Sequence, residues 1–294
     1  MSDKKSPQKN RRSWSDRWFD WRSRRSFEGN RNKSKRLVVT EDSAGKAPSS
    51  DYTEVDTNLP PDLIVPAHIG IIMDGNGRWA QRRGFERSYG HRAGAENLKR
   101  VTEACSMIGV KYLTVYAFST ENWKRPTAEV SQLMQLFVEF FRKYDAELEA
   151  NNIRLRFTGR IQELPQAVQD TINEAESGSF ARTGMQLIIA FNYGGRQEII
   201  DAAQRIAAAV EAGKISANEV DEALVTKHLY MPDVPDPDLI IRSSGEMRIS
   251  NFLLWESAYA EFWVSDVLWP DFDRATLYKA LYDFNGRERR FGGV

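Results

Sequence analysis

The chain has 294 residues, 41% of them hydrophobic, and a formal net charge of zero, which suits one large α/β domain with appendages. No apolar run approaches the roughly 20 residues of a membrane-spanning helix, and the N-terminus lacks the apolar stretch of a secretory signal. A single cysteine, Cys105, excludes an internal disulfide and a cysteine zinc site, and suits the cytosol.

The charge is uneven. Residues 1–36 hold 13 Lys/Arg against 4 Asp/Glu, so an acidic remainder balances a basic arm. Residues 1–65 are poor in aliphatic side chains and cannot bury enough surface to offset ordering. Within them Trp14, Trp18 and Trp21 fall on one helical face among Arg17, Arg22, Arg24 and Arg25. A basic helix with a Trp face reads as an interfacial membrane anchor. A plain disordered tail is the other reading, and the sequence leaves both open. Pro60, Pro61 and Pro66 mark the entry to a domain spanning 66–294.

That domain opens on an apolar run, Ile69, Ile71, Ile72 and Met73, which predicts a strand buried on both faces. Asp74-Gly75-Asn76-Gly77-Arg78 breaks it. A strand, a glycine turn and a helix start offer free N–H groups to an anion. A carboxylate beside such an anion suggests an intervening magnesium ion. The spacing then predicts a helix over 93–108, a strand over 111–118, a long helix over 127–150 and a strand over 153–158. A helix over 164–176, a strand over 185–191 and helices over 196–212 and 217–228 follow. Strands over 239–242 and 261–264 and a helix over 274–285 complete the chain. Alternating strands and helices predict a single α/β domain with a mainly parallel sheet of about six strands, covered by helices on both faces.

The polar blocks fall where these strands end. Ser119-Thr-Glu-Asn-Trp-Lys-Arg follows the second, Asn192-Tyr-Gly-Gly-Arg the fourth and Arg242-Ser-Ser-Gly-Glu-Met-Arg-Ile-Ser the fifth. Open parallel sheets bind ligands at those ends. Arg78, Arg125, Arg196, Arg242 and Arg248 are expected to converge there, and the planar guanidinium suits phosphate.

The run HIGIIMDGNGRWA over 68–80, with RSYGHRAG, YAFSTENWKR, NYGGR and IRSSGEMRISNFLL in order behind it, resembles the cis-prenyltransferases, the undecaprenyl diphosphate synthase family. The resemblance spans about residues 66–294. It implies that isopentenyl diphosphate is joined to an allylic diphosphate, such as farnesyl diphosphate, to build a medium or long polyprenyl diphosphate, the lipid-carrier precursor for cell-wall synthesis. By resemblance the allylic diphosphate falls to Gly75, Asn76, Gly77 and Arg78, with Trp79, Arg87 and His91 nearby. Isopentenyl diphosphate falls to Arg242, Arg248, Ile249 and Ser250. Ser119, Thr120, Glu121, Trp123 and Arg125 line the site, and Asp74 and Glu261 are the magnesium positions. Asn122 matches the proton acceptor. A neutral amide is a weak base, so Asn122 is read as orienting a phosphate oxygen or water that takes the proton.

The family also implies a hydrophobic product tunnel between the sheet and two helices. The tail, Arg289-Arg290-Phe291-Gly292-Gly293, implies a homodimer whose sites are completed by the partner. Met247 and Ser243 stand where some members carry histidine and threonine, and neither supplies a charge to the site. His68 and His228 read as structural. A non-catalytic accessory subunit is the main rival, but such subunits lose the Asp74 signature. An all-helical trans-prenyltransferase would carry Asp-Asp pairs, and the chain has none. No nucleic-acid partner is expected. The expected location is the cytoplasm and, on the anchor reading of residues 1–36, the inner face of the plasma membrane.

Overall fold

A computed structural model describes residues 63–287. The basic arm, Pro60, Pro61 and the tail at 289–293 lie outside the described residues.

Six strands form one parallel sheet. They are β1 (His68–Ile72), β2 (Tyr112–Ser119), β3 (Arg154–Thr158), β4 (Gln186–Tyr193), β5 (Leu239–Arg242) and β6 (Glu261–Val264), in the order β3-β4-β2-β1-β5-β6. Every adjacent pair is parallel. The helices are α1 (Asn76–Arg82), α2 (Arg87–Met107), α3 (Thr127–Ala150), α4 (Gln166–Ser179), α5 (Gly195–Glu211), α6 (Glu222–Lys227) and α7 (Arg274–Asn285).

Side chains alternate across the sheet, and both faces are buried. Ile69 and Ile71 of β1, Ile189 and Phe191 of β4 and Ile241 of β5 join one large core with α2, α3, α4 and α7. Ile72, Ala190, Tyr193 and Ile240 point the other way, into a smaller core with Phe252 and Leu253. Burial on both faces explains why the strands read as unbroken apolar runs.

Most elements fall within two residues of the expected bounds. Two differ more. α2 begins six residues before the expected start, because Gly90 and Gly94 lie on the face that α1 crosses. A Cβ on Gly90 would sit 2.1 Å from the Asn76 carbonyl oxygen, and one on Gly94 would sit 2.2 Å from Asn76 Oδ1. The glycines are there for close approach, and they hide the helical pattern. The expected helix over 217–228 is a 3-10 turn (Ala217–Glu219) followed by α6. Asp221 interrupts it by accepting from the Leu224 N–H at 2.8 Å, as an N-cap does.

The chain leaves β1 toward β2 on one side and returns to β5 on the other. The crevice at the carboxyl ends of β1 and β5 is therefore a topological switch point, the place where open parallel sheets take ligands.

Candidate active site

Asp74 lies just beyond β1, and Arg242 ends β5. Arg242 Nη2 donates to Asp74 Oδ2 at 2.8 Å. The Gly75 N–H donates to Asp74 Oδ1 at 2.7 Å, and Arg78 Nη2 lies 3.4 Å from the same oxygen. Burial opposes ionisation of Asp74, but Arg242, the Gly75 N–H and Arg78 outweigh it and hold the carboxyl below its usual range. Ser243 fixes the turn, accepting from the Asp74 N–H at 2.9 Å and donating to the Asp74 carbonyl at 2.8 Å. Gly75 has φ 99°, left-handed backbone that glycine adopts without strain.

Arg78 turns toward the loop after β5. It donates to Ser244 Oγ at 2.6 Å and to Glu246 Oε1 at 3.3 Å. Arg242 Nη1 reaches Ser250 Oγ at 2.7 Å and also the Arg248 carbonyl. Arg248 pairs with Glu246 at 2.5 Å. One chain of charges thus joins Asp74, Arg78, Arg242, Glu246 and Arg248.

A second cluster lies between α2 and α3. Glu129 Oε1 accepts from Arg125 Nη1 at 3.1 Å and from Arg87 Nη2 at 3.2 Å. The Arg87 guanidinium packs on Gly77, where a Cβ would meet its carbon at 3.1 Å. His91 Nε2 is 3.6 Å from Glu129, too far for a hydrogen bond. Burial, then the Arg125 and Arg87 charges, push His91 down to about 4 against the pull of Glu129. His91 is therefore neutral at pH 7.

The segment after β2 is a 3-10 turn, Thr120–Lys124. Asn122 Oδ1 accepts from the Ser119 N–H at 3.1 Å. With that oxygen committed, the amide has its N–H groups to offer a ligand. Glu121 accepts from Asn251 Nδ2 at 2.9 Å, and Asn251 Oδ1 accepts from the Arg196 N–H at 2.8 Å.

Part of this set lines a cleft of about 680 Å³, while the expected Gly75, Gly77, Arg78 and Arg87 stand outside its lining, behind or beside Asp74, Asn76 and His91 in the chain. Asp74, Asn76, His91, Ser119, Glu121, Asn122, Arg125, Arg196, Arg242, Arg248, Ile249 and Ser250 line it. A neighbouring apolar cavity of about 110 Å³ shares Met73, Asn76, His91, Tyr116, Ala117 and Leu133 with the cleft, then continues among Leu98, Phe137, Phe140 and Phe141.

Some expected residues sit elsewhere. Trp79 donates to Asp271 Oδ1 at 2.6 Å and stacks on Tyr89, and it does not line the cleft. Trp123 donates to Asn192 Oδ1 at 2.7 Å, and neither it nor Thr120 lines the cleft. Glu261 opens β6, paired with Leu239 and through it with Ile69. Five residue steps separate Ile69 from Asp74, roughly 15 Å along the strand direction. Glu261 instead accepts from Arg287 Nη1 at 2.7 Å. The two expected metal positions are thus not brought together within one chain, because a parallel sheet puts the start of β6 at the end opposite the cleft. Among the described residues, no group of three or more His, Cys, Asp or Glu could hold a metal ion.

His68 and His228 are structural. His68 meets the Pro235 carbonyl at 2.6 Å and Thr114 Oγ1 at 2.7 Å, and His228 meets the Leu224 carbonyl at 2.8 Å. Sequence reasoning missed Glu129, Ser244 and Asn251. Glu129 stands four residues after Arg125 on what is predicted as helix, and that i,i+4 pair was its available signal. Asn251 sits inside a quoted block with nothing local to separate it from its neighbours.

The model of the family described as putative undecaprenyl diphosphate synthase matches residues 72–292. The isoprenyl transferase of Heliobacterium mobile is 49% identical over 246 residues, 84% of this chain and 94% of that protein. That of Streptococcus thermophilus is 53% identical over 234 residues, 78% of this chain and 94% of that protein. Among solved structures, lavandulyl diphosphate synthase from Lavandula x intermedia, in complex with dimethylallyl diphosphate, superimposes with a TM-score of 0.76 at 39% identity, covering 78% of this chain and 99% of that one. A probable undecaprenyl diphosphate synthase from Campylobacter jejuni gives 0.65 at 32% identity, with the same coverage of each chain. The chain belongs to the cis-prenyltransferases, the undecaprenyl diphosphate synthase family, and is an enzyme that transfers prenyl groups.

Proposed function

We propose that the chain condenses isopentenyl diphosphate with an allylic diphosphate in cis and repeats the step to a medium or long polyprenyl diphosphate, a lipid-carrier precursor. The continuity of an arginine-lined cleft with an apolar cavity carries this reading. A ligand that fits both has an anionic head and a hydrocarbon tail. The dimethylallyl diphosphate bound by the lavandulyl diphosphate synthase supports an allylic head group here.

The allylic diphosphate sits at Gly75–Arg78 with Arg87 and His91 beside it, and isopentenyl diphosphate sits at Arg242, Arg248 and Ser250. The guanidiniums stabilise the departing diphosphate as its C–O bond breaks. The isopentenyl double bond attacks the resulting cation-like allylic carbon. A proton then leaves to an oxygen oriented by the Asn122 amide, and a new allylic diphosphate remains, five carbons longer. Met73, Ala117 and Leu133 at the junction of cleft and cavity exclude the water that would trap the cation.

The donor set fits one magnesium ion in a limited way. Asp74 is a single ionised carboxylate with 28% of its side chain exposed, and magnesium takes one or two carboxylates plus substrate phosphates and waters. Such an ion would neutralise charge on the leaving diphosphate. Glu261 could join it only across a subunit boundary, which its place on an edge strand allows. A homodimer is part of this proposal.

Asp74→Ala is the direct test. Arg242 keeps Ser250 and the Arg248 carbonyl, so the fold should survive, but with a lowered melting temperature because that buried guanidinium loses its counter-charge. Turnover, measured as radiolabelled isopentenyl incorporation, should fall at least a hundredfold. Near-normal turnover at saturating magnesium would refute the assignment.

A further inference from the structure

The turn that carries Asn122 has a support of its own, and that support lies outside the cleft. Asn122 sits in the 3-10 turn Thr120–Lys124, between β2 and α3. Ser119, Glu121, Asn122 and Arg125 of this stretch line the cleft, and Trp123 does not. The Trp123 indole turns back to the sheet. Its ring meets Phe118 edge-on at 5.2 Å, and its Nε1 donates to Asn192 Oδ1 at 2.7 Å. Thr120, at the head of the turn, packs on the next stretch of β4 and its loop. A Cβ on Gly194 would lie 2.8 Å from Thr120 Oγ1.

An irregularity in the sheet places Asn192 for this contact. From Phe118 to Ser119 β2 advances one residue, while its β4 partners advance two, from Phe191 to Tyr193. Asn192 is therefore the extra residue of a bulge, a feature that re-aims a side chain. Its φ is 49°, and a non-glycine residue holds that backbone only where its surroundings impose it.

The residue is 1% exposed, and both ends of its amide are used. Oδ1 takes the Trp123 donor. Nδ2 donates to the Arg160 carbonyl at 2.9 Å and to Glu163 Oε2 at 3.3 Å, both in the segment after β3. The Asn192 carbonyl accepts from the Arg160 N–H at 3.1 Å. A flipped amide would set donor against donor at Trp123 and acceptor against acceptor at Arg160, so the network fixes its orientation. One side chain thus ties the turn after β2 to the loop after β3, across the end of β4.

We propose that Asn192 is a positioning residue. Through the Trp123 indole it sets the lie of the 120–124 turn, and so the direction in which Asn122 offers its N–H groups to the cleft. Asn192 does not line the cleft itself. Its role rests on the reading that Asn122 orients the oxygen that takes the proton.

The test compares Asn192→Gly, Trp123→Phe and the double variant in the full chain. Glycine accepts the left-handed backbone of Asn192 and removes only the amide. Phenylalanine keeps an aromatic ring and removes the indole donor. Each single variant should lower kcat by roughly 10- to 100-fold, with the KM for either diphosphate within about threefold of wild type. The double variant should fall no further than the worse single one, because both remove one interaction. Losses that multiply overturn the coupling of Asn192 to Trp123. A raised KM with unchanged kcat overturns the positioning role.

Isopentenyl diphosphate deuterated at the carbon that loses its proton gives a readout that loosened packing would not move. A misdirected Asn122 slows proton loss, so the isotope effect on kcat should grow in Asn192→Gly. An isotope effect equal to that of wild type overturns the proposal, even if the variant melts earlier. Should Asn192→Gly fail to fold, Trp123→Phe carries the same kinetic and isotope test with Asn192 in place. Asn122→Ala separates the two readings. If it leaves kcat unchanged, the reading of Asn122 falls and takes the proposal with it. If it lowers kcat and raises the isotope effect while Asn192→Gly does neither, that reading stands and the proposal alone falls.

Discussion

His68 is the most consequential histidine for the fold and the least for the chemistry. Burial pushes it down to about 4, with the Pro235 carbonyl and Asp238 opposing. The unfolded chain titrates near 6.5 and binds a proton that the folded chain refuses. Stability from this site is thus complete above about pH 6.5 and is lost as pH falls toward 4. The shift corresponds to about 3 kcal/mol. Urea unfolding should show that loss between pH 7 and about 4, and His68→Gln should flatten the slope. An equal slope in the variant would assign the acid sensitivity to other groups. His91 contributes in the same direction, so the variant removes part of the dependence.

Glu129 shows what a single residue of sequence conceals. Its neighbour Arg125 is visible four positions away, but Arg87 and His91 come from another helix. Only packing of α2 on α3 makes Glu129 the carboxylate between two arginines.

At the scale of elements, the α1–α2 corner sets the geometry of the cleft. Asn76 opens α1 against Gly90 and Gly94, so a methyl group at either glycine must move α1. Gly90→Ala would push against backbone, which gives less readily than a side chain. Overpacking of this kind costs about 1–3 kcal/mol. The expected result is a lower melting temperature together with a raised allylic KM, because Gly75–Arg78 moves with α1. Normal kinetics in a destabilised variant would detach α1 from the site.

The cavity beside the cleft gives a second prediction at this scale. Ala117 lines both spaces, on β2 where they join. Ala117→Leu would fill the junction, and sizing of radiolabelled products should show a shift to shorter chains. An unchanged distribution would remove Ala117 from control of length.

At the scale of the whole molecule, the proposed polyprenyl product would tie its release to a lipid phase. Each isoprene unit adds about five carbons, at roughly 0.8 kcal/mol per methylene-sized group buried. A long product leaves for water only slowly, and transfer into a bilayer avoids that cost. No helix among the described residues is long and apolar enough to cross a membrane. Residues 1–36 carry the basic and Trp-rich segment, and each basic residue near an anionic surface contributes about 1 kcal/mol. Deleting them should leave single-turnover chemistry unchanged, weaken binding to anionic vesicles and slow multiple turnover when vesicles are present. Equal, salt-insensitive binding by both forms would overturn the anchor reading.

The parallel sheet was legible in the sequence because strands buried on both faces must be apolar throughout, and β5, β6 and α7 fall at their expected bounds. The placement of Asp74, Arg125, Arg196, Arg242 and Arg248 around one cleft was legible too, because glycine turns and polar blocks at strand ends are local patterns. Three things were decided only by tertiary structure. Arg87 and Arg125 meet on Glu129 because α2 packs on α3. Glu261 lies away from Asp74 because a parallel sheet separates the start of one strand from the end of another. The Gly195 N–H donates to the Asn251 carbonyl because the segment after β5 folds back on α5, and two residues 56 positions apart in the chain meet only through that packing.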